Sequence, residues 1–239
     1  MRQRLKNLFW HHRSLQGKIG SVLFFLFFFY QLWILLHIFL WTVVNPSESA
    51  FMETRLEHLQ EKDEKATLRH QWVNYNQISI HIKQAVIAAE DAKFIDHEGF
   101  DWEGIEKAYE KNKRRKKIVA GGSTISQQLA KNLFLSNQRT PWRKIEETMI
   151  TLMLETILSK KRILEIYLNV IEWGNNVYGI EAASQRYYSA HAKELTSFQS
   201  AKLASMIPNP KYYEQHQDSS RLIERSGIIL SRMNAVQVP

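Results

Sequence analysis

Residues 19–44 form one unbroken apolar stretch, dense in Phe, Leu, Ile, Val and Trp and free of formally charged residues. About 20 apolar helical residues cross a bilayer core, so this run is long enough to span one with some tilt. It also exceeds the ~7–15-residue apolar region of a cleavable signal peptide. The pattern predicts a retained transmembrane helix, weakened slightly by Gln31 and His37; a buried helix of a soluble core is the plain alternative. Arg2, Arg4, Lys6, Arg13 and Lys18 precede the run with no acid among them. By the positive-inside rule the N-terminus is cytoplasmic and everything after Pro46 lies on the far side.

Beyond the anchor the apolar positions recur with helical spacing. Residues 53–70 are rich in charge, with Leu56, Leu59 and Leu68 thinly placed, as in a short solvated stalk or first helix. Trp72, Val73, Tyr75, Ile78, Ile80 and Ile82 bring the chain back into a core. Ile82, Ala85, Val86 and Ala89 share one helical face, and the stretch 85–99 reads most simply as a helix. Glu90 follows one turn after Val86, and Phe94 one turn after Glu90, which puts a carboxylate on or beside the inward face. Burial raises a carboxylate's pKa because the charged form loses water, and a raised pKa suits proton transfer near neutral pH. The plain alternative is a Glu at the edge of an apolar stripe, paired with a Lys or Arg.

A helix is predicted over about 102–111, then a basic loop over 111–117, either solvated or facing an anion such as lipid headgroups or a pyrophosphate. Gly121 and Gly122 allow backbone N–H groups to approach a ligand, and Ser123 is a natural cap for a helix reaching about 134. Thr124, Gln128 and Lys131 then share one face; the Gly-Lys-Ser/Thr order of a Walker loop is absent. Thr140-Pro141 opens another helix. Its apolar residues between 145 and 158 lie all round, predicting burial, yet it carries Glu147 and Glu155 with Arg143 and Lys144 one turn earlier. A carboxylate in such a place wants a cationic partner, and a structural ion pair is the plain reading. Further helices are predicted over 160–172, 195–207 and 220–233. No strand pattern persists, so the class is mainly α. The organisation expected is a basic tail (1–18), a transmembrane helix (19–44), a stalk leading into the domain (45–77) and the domain itself (78–239).

Composition narrows the chemistry. The chain has no cysteine, which excludes disulfides, a thiolate nucleophile and a zinc ribbon. Its formal charge of +8 suits nucleic acid, an anionic membrane surface or a phosphorylated substrate. The topology argues against nucleic acid.

Four motifs then carry a resemblance. They are Glu90-Asp91-Ala92-Lys93-Phe94-Ile95-Asp96-His97-Glu98-Gly99; Gly121-Gly122-Ser123-Thr124-Ile125-Ser126-Gln127-Gln128-Leu129-Ala130-Lys131-Asn132; Arg143-Lys144-Ile145-Glu146-Glu147; and Lys161-Arg162-Ile163-Leu164-Glu165-Ile166-Tyr167-Leu168-Asn169. In this order and spacing the chain resembles the peptidoglycan glycosyltransferases, glycosyltransferase family 51, and within them the monofunctional membrane-anchored branch of Gram-negative bacteria. No Ser-x-x-Lys occurs, so the penicillin-binding half of bifunctional members is not expected. The resemblance implies a mainly α, lysozyme-like domain with one N-terminal transmembrane helix. It implies an enzyme that polymerises lipid II into β-1,4 glycan, inverting the anomeric centre and releasing undecaprenyl pyrophosphate. Glu90 matches the general base and Glu147 the second carboxylate, which positions groups or assists departure of the pyrophosphate. Asp91, beside Glu90, would hold its pKa up by like charge and is expected at the substrate. Lys131, Arg143 and Lys144 match cations around the pyrophosphate, Thr124 and Gln128 polar contacts to the donor, and Phe94, His97 and Asn132 supports of the cleft.

No cofactor is required by this reading and no metal ligand is expected, although a divalent cation at the pyrophosphate is compatible with it. The implied partners are lipid II, the growing glycan on undecaprenyl pyrophosphate, inner-membrane lipids, and cell-division or elongation proteins. The implied location is the inner membrane, with the domain periplasmic. The runner-up is a lysozyme-like or lytic transglycosylase that cleaves glycan, using one Glu as acid and needing no cationic cluster. A membrane-tethered scaffold with structural glutamates is the remaining class.

Overall fold

A computed structural model of the protein describes residues 2–117, 121–136 and 140–239, with side chains from residue 17 onward. Most side chains of the basic tail, and the segment just before Gly121, lie outside the described residues.

Helix α1 runs from Arg2–Leu40, and within it Gly17–Leu40 has a mean hydropathy of 2.2. Only 11% of its most apolar window is buried, so its Phe, Leu and Val side chains point outward rather than into a soluble core. This is the single-pass anchor expected from the sequence. One face is covered: Gln31, Ile34, Ile38 and Trp41 are buried. Against that face lies the helix α6 (Pro141–Ile157), with Trp142 ring-to-ring at 6.4 Å from Phe27. Phe134 meets Trp33 at 6.2 Å and Trp41 at 5.1 Å.

The end of the anchor is tied down by Arg162 of α7 (Lys160–Val170). Its Nε donates to Trp41 O at 2.8 Å, and its Nη2 to Val44 O at 2.7 Å and Asn45 Oδ1 at 2.9 Å. Its Nη1 donates to Glu165 Oε2 at 2.7 Å. The last carbonyls of a helix lack internal partners, and a planar fork of donors satisfies several at once. Arg162→Ala should therefore cost about 2–3 kcal/mol. That corresponds to a fall in melting temperature of very roughly 5–10 °C in detergent, and Arg162→Lys, a point donor, should restore only part. A melting temperature unchanged in Arg162→Ala would show the tie to be dispensable.

Helix α2 (Ala50–Gln60), capped by Ser49, is not a free stalk. It packs on α5 (Ile125–Phe134), buries Met52, and its Arg55 donates to Asn175 and Asn176 at 2.7 and 2.8 Å. Those two asparagines form the turn of a small sheet that the sequence pattern does not predict. Strands β1 (Arg69–His70), β2 (Glu172–Gly174) and β3 (Val177–Tyr178) stand in the order β1-β3-β2. The β1–β3 pair is parallel and the β2–β3 pair antiparallel, with Asn176 at φ 62° in the turn. Helix α7 consequently ends at Val170, not 172.

Helix α3 (Ile80–Glu90) presents Ile82, Ala85 and Val86 to the core and packs on α9 (Ser197–Met206) and α11 (Ser220–Arg232). It stops at Glu90; Phe94 reaches the core through the turn that follows, not by continuing the helix. Helix α4 (Trp102–Arg115) runs through most of the basic segment read as a loop. Lys and Arg are good helix formers, and Glu103–Lys107 and Glu110–Arg114 pairs at i, i+4 carry the helix on to a left-handed Lys116. Helices α8 (Ile180–Tyr188) and α10 (Pro210–Gln215) complete the domain.

Candidate active site

Two turns fix where the acidic residues point. At Gly99 φ is +91°, and a Cβ there would meet Thr151 Cγ2 at 2.8 Å, so the chain after α3 can press against α6 only as glycine. Thr124, rather than Ser123, caps α5: its side chain accepts from Gln127 N, while the Gln127 side chain returns to the Thr124 N–H. Thr124 Oγ1 also donates to Gly99 O at 2.7 Å, tying the two turns together. Gly122 lies close under α4, where a Cβ would stand 3.1 Å from the Ile105 Cα.

Asp91 works in the same scaffold. Its Oδ2 accepts from Ile125 N at 3.0 Å, and its Oδ1 lies 2.8 Å from His97 Nε2. Gly99 N donates to His97 Nδ1 at 3.1 Å, so the ring proton sits on Nε2 and is given to Asp91. Both Asp91 oxygens are thus engaged within the protein, and its side chain is 2% exposed. Asp91 lines the cleft, and each of its oxygens accepts a hydrogen bond from within the protein. Phe94 is fully buried, with Lys160 Nζ 4.7 Å from its ring centroid, and Asn132 donates to Gln128 O at 2.8 Å. Phe94, His97 and Asn132 thus make their contacts within the protein.

Glu90 is placed differently. With Asp91, Gly121, Gly122, Ser123 and Thr124 it lines a cleft of about 240 Å³. Its side chain is 12% exposed. Oε2 accepts from Gln128 Nε2 at 3.0 Å, and Oε1 from Arg225 Nη2 at 3.0 Å. Burial pushes its pKa up and the charge of Asp91 adds to that, while Gln128, Arg225 and Lys131 pull it down; the net shift is upward. The result is a carboxylate with enhanced proton affinity, yet with donors arranged for its ionised form.

Glu147 forms the second centre. It is 3% exposed and joins Arg143 Nη1 at 2.8 Å and the ammonium of Lys144, both on the first turns of α6. Glu155, the other acid of α6, bonds Lys160 at 2.8 Å and the hydroxyl of Ser126, cross-linking α5, α6 and α7. Helix α5 packs on α6 and carries Gln128 and Lys131. Lys131 acts electrostatically on Glu90, with its Nζ 5.7 Å from the Phe51 ring centroid. So Glu90, Gln128 and Lys131 form one group, and Glu147, Arg143 and Lys144 another.

Sequence reasoning missed Arg225. Arg225 lies 135 residues from Glu90 and in none of the motifs. The available signal was α11 itself, whose inward residues Leu222, Ser226 and Ile229 put position 225 at the margin of the buried face.

Comparison with known proteins gives the family. A family model described as Transglycosylase matches residues 56–234. The chain is 58% identical over 235 residues to a biosynthetic peptidoglycan transglycosylase of Methylobacillus flagellatus, covering 98% of this chain and 100% of the relative. It is 58% identical over 222 residues to one of Chromobacterium violaceum (93% and 97%) and 56% over 230 residues to one of Dechloromonas aromatica (96% and 97%). With its mainly helical, lysozyme-like domain behind an N-terminal apolar helix, the chain belongs to the transglycosylase family of peptidoglycan glycosyltransferases.

Proposed function

We propose that this glycosyltransferase polymerises lipid II, with the growing glycan on undecaprenyl pyrophosphate as donor and the 4-hydroxyl of a second lipid II as acceptor. The observation that carries the reading is the Glu90 carboxylate: cleft-lining, raised in proton affinity by burial, and held by donors to its ionised form. Glu90 takes the proton of the acceptor hydroxyl as its oxygen attacks the anomeric carbon. The bond from that carbon to the pyrophosphate breaks on the opposite face, so the new linkage is inverted to β. The departing pyrophosphate needs positive charge more than a proton, and Lys131, Arg143 and Lys144 are its natural receivers. Glu147, joined to two of those cations, positions them.

A cleaving enzyme of the same fold would need Glu90 as a protonated acid. Arg225 and the Gln128 amide favour the anion and so weigh towards a base. Among the described residues no group of three or more His, Cys, Asp or Glu is placed to hold a metal ion, and a divalent cation would be held chiefly by the pyrophosphate's own oxygens. The basic tail and apolar anchor support a cytoplasmic N-terminus and a periplasmic domain at the inner membrane. The test is incubation of the purified full chain with labelled lipid II, followed by gel separation. A ladder of lengthening glycans is expected. Shortening of preformed glycan would replace this reading with the hydrolytic one, and no change with a scaffold.

A further inference from the structure

Tyr167 is fully buried in the middle of α7, yet its hydroxyl reaches the candidate site: it donates to Gln128 Oε1 at 2.8 Å. The other end of the same amide, Nε2, donates to Glu90 Oε2. A primary amide carries one acceptor end and one donor end, and exchanging them changes its shape hardly at all. A carboxylate only accepts, so an amide turned the wrong way would set lone pairs against lone pairs. What stands at the far end of Gln128 therefore decides whether Glu90 gains a donor. Burial, reinforced by the charges of Glu90 and Asp91, keeps the Tyr167 phenol protonated across the working pH range, so its proton is always there to give. The backbone of Gln128 is fixed as well, since the capping box at Thr124 and the Asp91–Ile125 bond anchor the first turn of α5.

We propose that Tyr167 is a positioning residue for Glu90: its hydroxyl holds the Gln128 amide with the N–H end towards Oε2, while Arg225 meets Oε1. The inference rests on Glu90 acting as the base. The two contacts are unlike in kind. Tyr167 is fully buried and Gln128 half-buried, whereas the Arg225 side chain is 36% exposed. Arg225 is thus the contact that yields to the incoming acceptor, and Oε1 is the oxygen that receives its proton. The charged groups acting on Glu90 are Arg225 from α11, Lys131 from α5 and the neighbouring Asp91.

The test is the pH profile of lipid II polymerisation by the full chain in detergent, for wild type, Tyr167→Phe, Gln128→Leu, the double variant and Glu90→Gln. Removing the hydroxyl leaves Gln128 free to turn and Glu90 short of a donor. Tyr167→Phe should lower kcat about tenfold, the usual worth of a hydrogen bond to a charged group. KM should stay within about twofold, and the acid limb should move up by about half to one pH unit. Gln128→Leu should move the limb the same way, and adding Tyr167→Phe to it should move it no further. An unmoved limb in Tyr167→Phe, or a further movement in the double variant, overturns the proposal. Should Tyr167→Phe fail to fold, an unmoved limb in Gln128→Leu overturns it equally. These failures are separable from failure of the base reading, which would show as polymerisation surviving in Glu90→Gln.

Discussion

Glu90→Gln should all but abolish glycan synthesis while leaving the protein as stable as wild type or more so. General-base catalysis contributes about 10²–10⁴-fold, and the rate on lipid II should fall by that much. The stability half follows from the upward pKa shift. A carboxyl whose folded pKa lies above its unfolded value binds its proton more tightly when folded. The fold is therefore penalised at pH values above the raised pKa, and relieved of the penalty as pH falls through it. Glutamine is neutral throughout, so its advantage in thermal unfolding is full at neutral pH and shrinks on acidification. The same shift predicts that wild-type activity falls off on the acid side at a pH above the ordinary carboxylate range. Residual polymerisation within tenfold of wild type would move the base elsewhere.

Glu147→Gln should be nearly as damaging by another route. Arg143 and Lys144 converge on one carboxylate, and without its charge they repel each other and swing apart. Loss of organised charge around a leaving group costs about 10²–10³-fold in kcat. Breaking the pair should also cost about 1–2 kcal/mol, well below the buried limit because the Lys144 side chain is 49% exposed. That corresponds to a few degrees in melting temperature. Single-turnover rates with preformed donor glycan separate the effects: a variant with full chemistry and a lowered melting temperature would make Glu147 structural only.

The helices were legible wherever cap chemistry and apolar period coincide. Thr140-Pro141 opens α6 as the sequence predicts, and α11 falls within a residue of its expected end. The cap of α5 falls one residue later than Ser123, because a Ser-Thr pair offers two hydroxyls and only the Thr124–Gln127 reciprocity selects the second. The sheet was not legible: its strands are two or three residues long, too short for a period-two pattern, and β1 pairs with a partner far along the chain. Likewise, motif spacing pointed to Glu90, Gln128 and Glu147 but was silent on Arg225, which meets Glu90 only through the packing of α11 on α3. A sequence displays the chemistry of its motifs; contacts made across the domain are settled by packing.

One helix both leans on the anchor and carries the paired cations. Trp142 rests beside Phe27, about 20 Å of helix before the anchor ends at Leu40, and Arg143 and Lys144 come next in the chain. With the apolar helix across a bilayer, this contact would set the domain low in it instead of perched above. On the proposed reading, with a substrate hung from a polyprenyl tail, this draught would matter: the headgroup would meet its cations near the waterline where it already floats, and the tail would never have to be hauled out of the oil.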